Sequence, residues 1–163
     1  LVLPVSYNLD PDYQKEIVSC IKRLGLEEQT LLIKRFVEPR KYFKLISQSV
    51  MMVTAHDRQQ AVGNILTSLY CGNRTFLKKE ILVDGKMVQN PTWEFLGRYD
   101  LKMNDLKDLI KVDALSGLSS FSDEERRAHQ QVIIDEFGLD KRAQELSAMC
   151  CEILEKREKV KVH

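Results

Sequence analysis

The sequence contains few residues of the types that build phosphate-binding, metal-bound or nucleophilic sites. It has seven glycines, four cysteines and three histidines among 163 residues. The glycines are scattered, so the sequence has no G-x-x-x-x-G-K or G-x-G-x-x-G pattern to bring backbone amides close to a phosphate. It also has no G-x-S-x-G elbow and no two histidines four residues apart on one helix. We therefore predict no catalytic residue and no cofactor.

The cysteines Cys20, Cys71, Cys150 and Cys151 show no C-x-x-C spacing, and two of them are adjacent. This pattern suits neither a disulfide scaffold nor a tetrahedral zinc site, so we predict no metal site. Reduced thiols are typical of a cytoplasmic or nuclear protein. A pairing of His129 with Cys150 or Cys151 is conceivable, but we interpret these residues as a polar-face histidine and two small core thiols.

A strong net charge and long apolar runs are also absent. The 25 basic and 24 acidic residues give a net charge of +1, so no overall field attracts the protein to nucleic acid or to anionic lipid. No apolar run approaches the roughly 20 residues that span a bilayer, so we predict no membrane partner. The sequence starts at Leu1 without an initiator methionine, and we expect it to be part of a longer chain.

Helical spacing of apolar residues is the main pattern in the first half of the sequence. Asp10 can cap a helix that starts at Pro11 and ends before Gly25. The spacing predicts further helices over residues 27–37, about 40–53 and 57–70. Pro39 separates the first two of these.

The second half combines one ambiguous segment with clearer helices. Residues 75–89 form a hairpin or a short helix, and Asp84-Gly85 between two apolar runs favours the hairpin. Asn90-Pro91 begins a short helix, and another carries Leu101 to Ile110. Ser122 and Glu125 form the capping-box pattern of a helix that ends at Gly138. A last helix is expected to place these residues on its apolar side: Ala143, Leu146, Met149, Cys150, Ile153 and Leu154.

These elements predict a mainly all-α fold with at most one short β-hairpin. An irregular multi-helix bundle fits the pattern, as does a helical stack in the style of armadillo and HEAT proteins. The length is typical of one domain, so residues 1–163 are expected to form a single helical domain.

The most suggestive local feature is the basic segment, which we define as residues 34–44 (KRFVEPRKYFK). Against the single acid Glu38, it carries five basic residues, and three aromatic residues lie among them. Tyr42 and Phe43 share a helical stripe with residues further along the chain, so we expect both to be buried. The candidate partner-binding residues are the five bases: Lys34, Arg35, Arg40, Lys41 and Lys44.

Three interpretations of the basic segment remain open from the sequence. It is a solvated face, a docking surface for an acidic protein segment, or a site for single-stranded nucleic acid. We predict a non-catalytic protein–protein interaction domain, a scaffold or adaptor module of a larger intracellular protein, that binds an acidic or helical segment. The alternative is a helical module that binds RNA or single-stranded DNA through residues 34–44. The oligomeric state does not follow from the sequence.

Overall fold

The computed structural model of the protein describes residues 1–5, 10–110 and 119–161. The protein is 53% helical, and the described residues also form seven strands in three small sheets. The prediction of a mainly all-α bundle or armadillo-like stack is therefore wrong, and the fold is a mixed α/β fold. The chain divides into two compact units, Leu1–Leu45 and Ile46–His163, and each is described by itself. That the chain behaves as a single domain stays a prediction.

The first unit alternates strands and helices. Its elements are β1 (Val2–Pro4), α1 (Pro11–Arg23), a 3₁₀ turn (Glu27–Gln29), β2 (Leu31–Ile33) and α2 (Pro39–Ser47). The strands β1 and β2 pair in parallel, with Leu3 opposite Leu32. Helix α1 confirms its prediction, since the Asp10 carboxylate accepts hydrogen bonds from the backbone amides of Asp12 at 2.8 Å and Tyr13 at 3.2 Å.

The helix predicted over residues 27–37 is wrong. Only the 3₁₀ turn is helical there, and the apolar run that follows it is strand β2. Three consecutive large apolar residues, Leu31, Leu32 and Ile33, are too crowded for one helical stripe. Pairing with β1 instead satisfies the backbone groups of Leu31 and Ile33, and Ile33 is only 8% exposed.

The second unit is built around a parallel sheet. Its strands are β3 (Met51–Thr54), β4 (Arg74–Leu77), β5 (Glu80–Val83), β6 (Lys86–Gln89) and β7 (Asn104–Asp105). Its helices are α3 (Val62–Tyr70), α4 (Pro91–Gly97), α5 (Leu106–Ile110), α6 (Asp123–Phe137) and α7 (Leu139–Lys161). The parallel sheet has the order β3-β4-β7, while β5 and β6 form a separate antiparallel pair.

Several helix boundaries in this part of the chain differ from the predicted ones. The helix expected over residues 40–53 ends at Ser47, and Met51–Thr54 is strand β3. The helix expected to begin near residue 57 begins at Val62, and the helix expected from Leu101 to Ile110 is reduced to α5 after the short strand β7. In the first and the last of these cases a strand pairs with a segment distant in sequence, and tertiary pairing overrides a local helical pattern.

The predicted hairpin and the helix after it are confirmed. Strands β5 and β6 pair with Ile81 opposite Val88, and the turn residues Asp84 and Gly85 have φ values of 50° and 76°. A two-residue turn with positive φ at both positions matches the twist of the flanking strands. Helix α4 begins at Pro91, and the Asn90 side chain accepts a hydrogen bond from Thr92 N at 2.9 Å.

The core of the second unit lies where helices α3, α4 and α6 meet. Ile65 and Leu69 of α3 pack with Leu96 and Leu101, and all four are at most 4% exposed. At the rim of this core, three aromatic rings pack edge to face, with centroid separations of 4.8 to 6.0 Å: Phe95, Tyr99 and Phe137. This arrangement suits the ring quadrupoles and fixes α4 against α6.

Two buried asparagines connect loops to the parallel sheet. Asn73, which precedes β4, donates from Nδ2 to the carbonyl of Ile46 at 2.7 Å. Asn90 donates from Nδ2 to the carbonyl of His56 at 2.8 Å. Both asparagines are at most 2% exposed, so each of these buried side-chain amides has the hydrogen-bond partner that burial requires.

The last two helices confirm one expectation and contradict another. The capping box of Ser122 and Glu125 is present at the start of α6. On α7, however, Leu146 and Met149 are 63% and 59% exposed, so the expectation that they point inward is wrong. The side chains expected inward at positions 153 and 154 lie outside the described residues.

The core analysis predicts a large difference between two leucine truncations. Leu69→Ala removes a side chain with 0% exposure and should lower the free energy of unfolding by about 2 to 5 kcal/mol. Leu82→Ala is the matched control, because Leu82 on strand β5 is 68% exposed and its loss should cost at most about 0.5 kcal/mol. Chemical denaturation of both variants measures the difference, and equal destabilisation would contradict the position of the core.

Candidate partner-binding surface

All five predicted binding residues are exposed, and they lie on two adjacent elements. Lys34 and Arg35 follow strand β2, whereas Arg40, Lys41 and Lys44 lie on helix α2. On that helix Lys44 is three residues from Lys41 and four from Arg40, so the three side chains occupy one side of the helix. No ion pair within the described part of the chain involves Lys34, Arg35, Arg40 or Lys41.

The first turn of α2 carries positive charge where a helix disfavours it. The free amides at a helix N-terminus are equivalent to a partial positive charge, and acidic residues usually occupy that turn. In α2 the turn contains Arg40 and Lys41 and no acidic residue. One carboxylate lies beside it, since Glu38 accepts a hydrogen bond from Arg40 N at 3.2 Å. The helix N-terminus thus adds to the positive charge of Arg40 and Lys41, and the Glu38 carboxylate offsets part of it.

The aromatic residues of the basic segment differ from expectation. Phe43 was expected to be buried, but it is 46% exposed, and Phe36 is 86% exposed. Tyr42 is half-buried, and burial raises the pKa of its hydroxyl. Helix α2 thus directs Tyr42 inward and leaves Phe43 at the surface. Two phenylalanine rings therefore remain accessible among the basic residues.

A shallow depression of about 410 Å³ lies beside these residues. All of strand β2, the four residues that follow it and one residue of α2 line it: Leu31, Leu32, Ile33, Lys34, Arg35, Phe36, Val37 and Leu45. Six of these eight residues are apolar, and the two charged ones are both basic. Sequence reasoning identified the bases and missed the strand. The crowding of Leu31, Leu32 and Ile33 was the available signal for it.

The other residues considered from the sequence are not brought together into a reactive site. Cys71 is partly buried, and burial raises the pKa of its thiol, which disfavours a thiolate. Cys150 and Cys151 are exposed on α7, so the interpretation of both as core thiols is wrong. The described residues contain no group of three or more side chains arranged to hold a metal ion.

His129 is buried, in contrast to its interpretation as a polar-face histidine. It is 3% exposed, its ring packs edge to face on Phe121, and its Nε2 accepts a hydrogen bond from Lys102 N at 3.1 Å. Its Nδ1 has no partner with good hydrogen-bond geometry among the described residues, although the carbonyl of Leu69 lies on that side and weakly favours a proton. Burial dominates and lowers the pKa of the ring, which is therefore neutral near pH 7.

Charged groups surround the exposed side of His129. Lys102 Nζ lies 2.9 Å from Glu125 Oε1, and Ser122 donates to the other oxygen of the same carboxylate from its backbone amide and from its hydroxyl. These contacts lower the pKa of Glu125 to about 2. The neighbouring depression of about 530 Å³ is lined by charged and capping residues of α6 and of the segment before it. We interpret the hydrogen bonds among Lys102, Ser122, Glu125 and His129 as a connection between the start of α6 and the segment that precedes β7.

Comparison of the chain with protein-family models, with curated proteins and with solved structures finds no match. Among the described helices, none combines the length and the apolar character that crossing a membrane requires.

The buried histidine predicts a pH dependence of stability. The unfolded chain protonates His129 near the ordinary pKa of about 6.5, whereas the folded protein protonates it only at lower pH. The stabilising contribution is thus complete above about pH 6.5 and is lost as the pH falls below it. His129→Gln keeps an acceptor for the Lys102 amide and does not titrate. Urea unfolding across this pH range should show that the free energy of unfolding falls more steeply for the wild type than for the variant. Parallel pH curves for the two proteins would contradict the prediction.

Proposed function

We propose that the protein is a non-catalytic protein–protein interaction domain, a scaffold or adaptor module of a larger intracellular protein. It binds an acidic segment of a partner through Lys34, Arg35, Arg40, Lys41 and Lys44. The observation that carries the proposal is the 86% exposure of Phe36 between two pairs of bases, Lys34 with Arg35 and Arg40 with Lys41, which have no ion pair among the described residues. Aromatic residues and arginine are enriched at protein interfaces, so an exposed phenylalanine ring near Arg35 and Arg40 suits a partner-binding surface.

The electrostatics of α2 support a function in binding over one in folding. Cations in the first turn of a helix cost stability, by about 0.3 to 1 kcal/mol each where the turn is exposed. Arg40 and Lys41 are therefore unfavourable for the helix that carries them. A partner carboxylate would interact with both the side chains and the helix N-terminus, and the guanidinium of Arg40 can donate two parallel hydrogen bonds to it.

The alternative is binding of single-stranded nucleic acid by the same segment. The exposure of Phe36 and Phe43 favours it, because bases stack on accessible aromatic rings while cations contact the phosphates. Two observations favour a protein partner. The net charge is only +1, and the depression beside Phe36 is lined by aliphatic residues such as Leu31, Val37 and Leu45, which suit aliphatic side chains.

Fluorescence anisotropy with two labelled probes tests the proposal. One probe is a peptide of about nine residues that alternates glutamate with valine, long enough for one strand. The other is an oligothymidine of about 16 nucleotides, which covers a typical single-strand site. Saturable binding of the peptide, absent for the same peptide with lysine in place of glutamate, supports the proposal. Binding of the oligothymidine alone would overturn it in favour of nucleic acid, and binding of neither would overturn both.

The charge-reversed variant Arg40→Glu/Lys41→Glu should lose most of its affinity for the acidic peptide, by about tenfold or more at low salt. The loss should shrink as salt is raised from about 50 to 500 mM, because screening weakens both attraction and repulsion. The melting temperature should stay the same or rise slightly, since acids in the first turn suit the helix dipole. Lys22→Glu/Arg23→Glu on α1 is the matched control and should keep the affinity. Equal losses in the two variants would place binding elsewhere.

Phe36→Ala should weaken peptide binding by about tenfold, the usual cost of truncating an aromatic anchor, and this loss should persist at high salt. Salt does not screen the apolar contact of the ring, so the salt dependence distinguishes this loss of affinity from that of the charge-reversed variant. Stability should change by no more than about 0.5 kcal/mol, because the ring is already exposed. Leu82→Ala removes another exposed apolar side chain and serves as the control in the same titration. Unchanged affinity of Phe36→Ala would show that the ring is not an anchor.

A further inference from the structure

The outer edge of strand β2, which faces away from β1, carries backbone groups that bond to no described residue. Leu31 N donates to the carbonyl of Leu1 at 2.8 Å, and Val5 N donates to the carbonyl of Ile33 at 2.9 Å. These bonds show that the Leu31 amide and the Ile33 carbonyl point toward β1. In a trans peptide unit the N–H and C=O groups point in opposite directions, and the described chain has no cis peptide bond. The Thr30 carbonyl and the Lys34 amide therefore point away from β1.

The alternation of a parallel ladder extends this edge to the residue between them. Leu31 and Ile33 exchange their hydrogen bonds with β1, so both backbone groups of Leu32 face the other side of the strand. The outer edge consequently offers, in order, the Thr30 carbonyl, the Leu32 amide and carbonyl, and the Lys34 amide. No described residue pairs with this edge, because β2 has β1 as its single neighbour in the sheet.

The outer edge of β2, the depression of about 410 Å³ and the bases Lys34 and Arg35 lie side by side. The depression follows the whole of β2 and continues along Lys34, Arg35 and Phe36, with Leu45 of α2 also lining it. An exposed edge strand is a template for an added strand unless the protein blocks it. A peptide that adds to such an edge gains affinity from main-chain hydrogen bonds and specificity from alternate side chains.

We propose that the acidic partner segment binds as an added β-strand on the outer edge of β2, an inference that rests on the proposed function. The occupant is an extended peptide with alternating acidic and aliphatic residues. Its backbone pairs with Leu32 and Lys34, and its aliphatic side chains enter the depression lined by Leu31, Val37 and Leu45. Its carboxylates face the bases of the segment, whose five positive charges against Glu38 give a net +4. A helical partner segment would leave the edge amides free.

Selective N-methylation of the glutamate–valine peptide tests this mode. One peptide carries methyl groups on every second backbone amide, and a second carries them on the alternate set. A strand presents these two sets on opposite edges, so one peptide should lose at least about tenfold in affinity while the other should bind like the parent. Equal affinities of the two methylated peptides, with the parent still bound, would overturn strand addition and leave the proposed function standing. Failure of the parent peptide to bind would overturn the proposed function itself.

Amide exchange measured by NMR gives an independent readout on the protein. With saturating parent peptide, exchange of the Leu32 and Lys34 amides should slow by about tenfold or more, whereas Leu31, already bonded to Leu1, should change little. Bound peptide without this protection would overturn the inference. Sedimentation tests whether a second copy of the chain, in place of a peptide, pairs with the outer edge of β2. A dimer that the peptide does not dissociate would overturn it, whereas a monomer that binds one peptide supports it.

Discussion

Parallel pairing between strands that are distant in sequence is the constraint on which both units depend. Parallel strands need a crossover connection, and the helices α1 and α3 supply it between β1 and β2 and between β3 and β4. In the second unit the crossover helix also provides Ile65 and Leu69, the centre of the core. Two parallel strands require the chain to cross back to the start of the sheet. The crossover helix that does so carries the apolar residues that cover one face of the sheet.

The same constraint produces the candidate binding surface. A strand has two hydrogen-bonding edges, and β1 satisfies only the inner edge of β2. The chain leaves β2 directly into Lys34 and Arg35 and then turns at Pro39 into α2, so the bases are attached to the end of an open strand edge. Two features that look unrelated in the sequence, a short apolar run and a basic segment, thus form one continuous surface. The position of Leu45 beside the depression depends on α2 in the same way.

The sequence predicted elements whose signals are local and missed those whose cause is distant. The Asp10 cap, the turn at Asp84 and Gly85, and the capping box of Ser122 and Glu125 involve residues within a few positions of each other, and all three are present. Strands β2, β3 and β7 are short and depend on partners elsewhere in the chain, so their residues could be assigned to helices as easily. The five bases could be found from composition, whereas the exposure of Phe43 and the open edge required the fold. The exposure of α7 was missed for the same reason, since an apolar stripe does not reveal whether another element covers it.

The cost of the basic residues to α2 bears on how a partner would be bound. In the free protein Arg40 and Lys41 repel each other and the positive end of their own helix, and neither has an ion pair among the described residues. A partner carboxylate at this turn would add to the single Glu38 carboxylate there, and would displace no salt bridge of Arg40 or Lys41 within the described part of the chain. Its contribution to binding is thus larger than that of the same carboxylate at a surface whose cations are already paired. Because the turn is exposed, this gain is screened by salt and acts mainly on the association rate. Lasting attachment would then come from contacts that salt does not weaken, and three such features lie beside the bases: the ring of Phe36, the apolar lining of the depression and the backbone edge of β2.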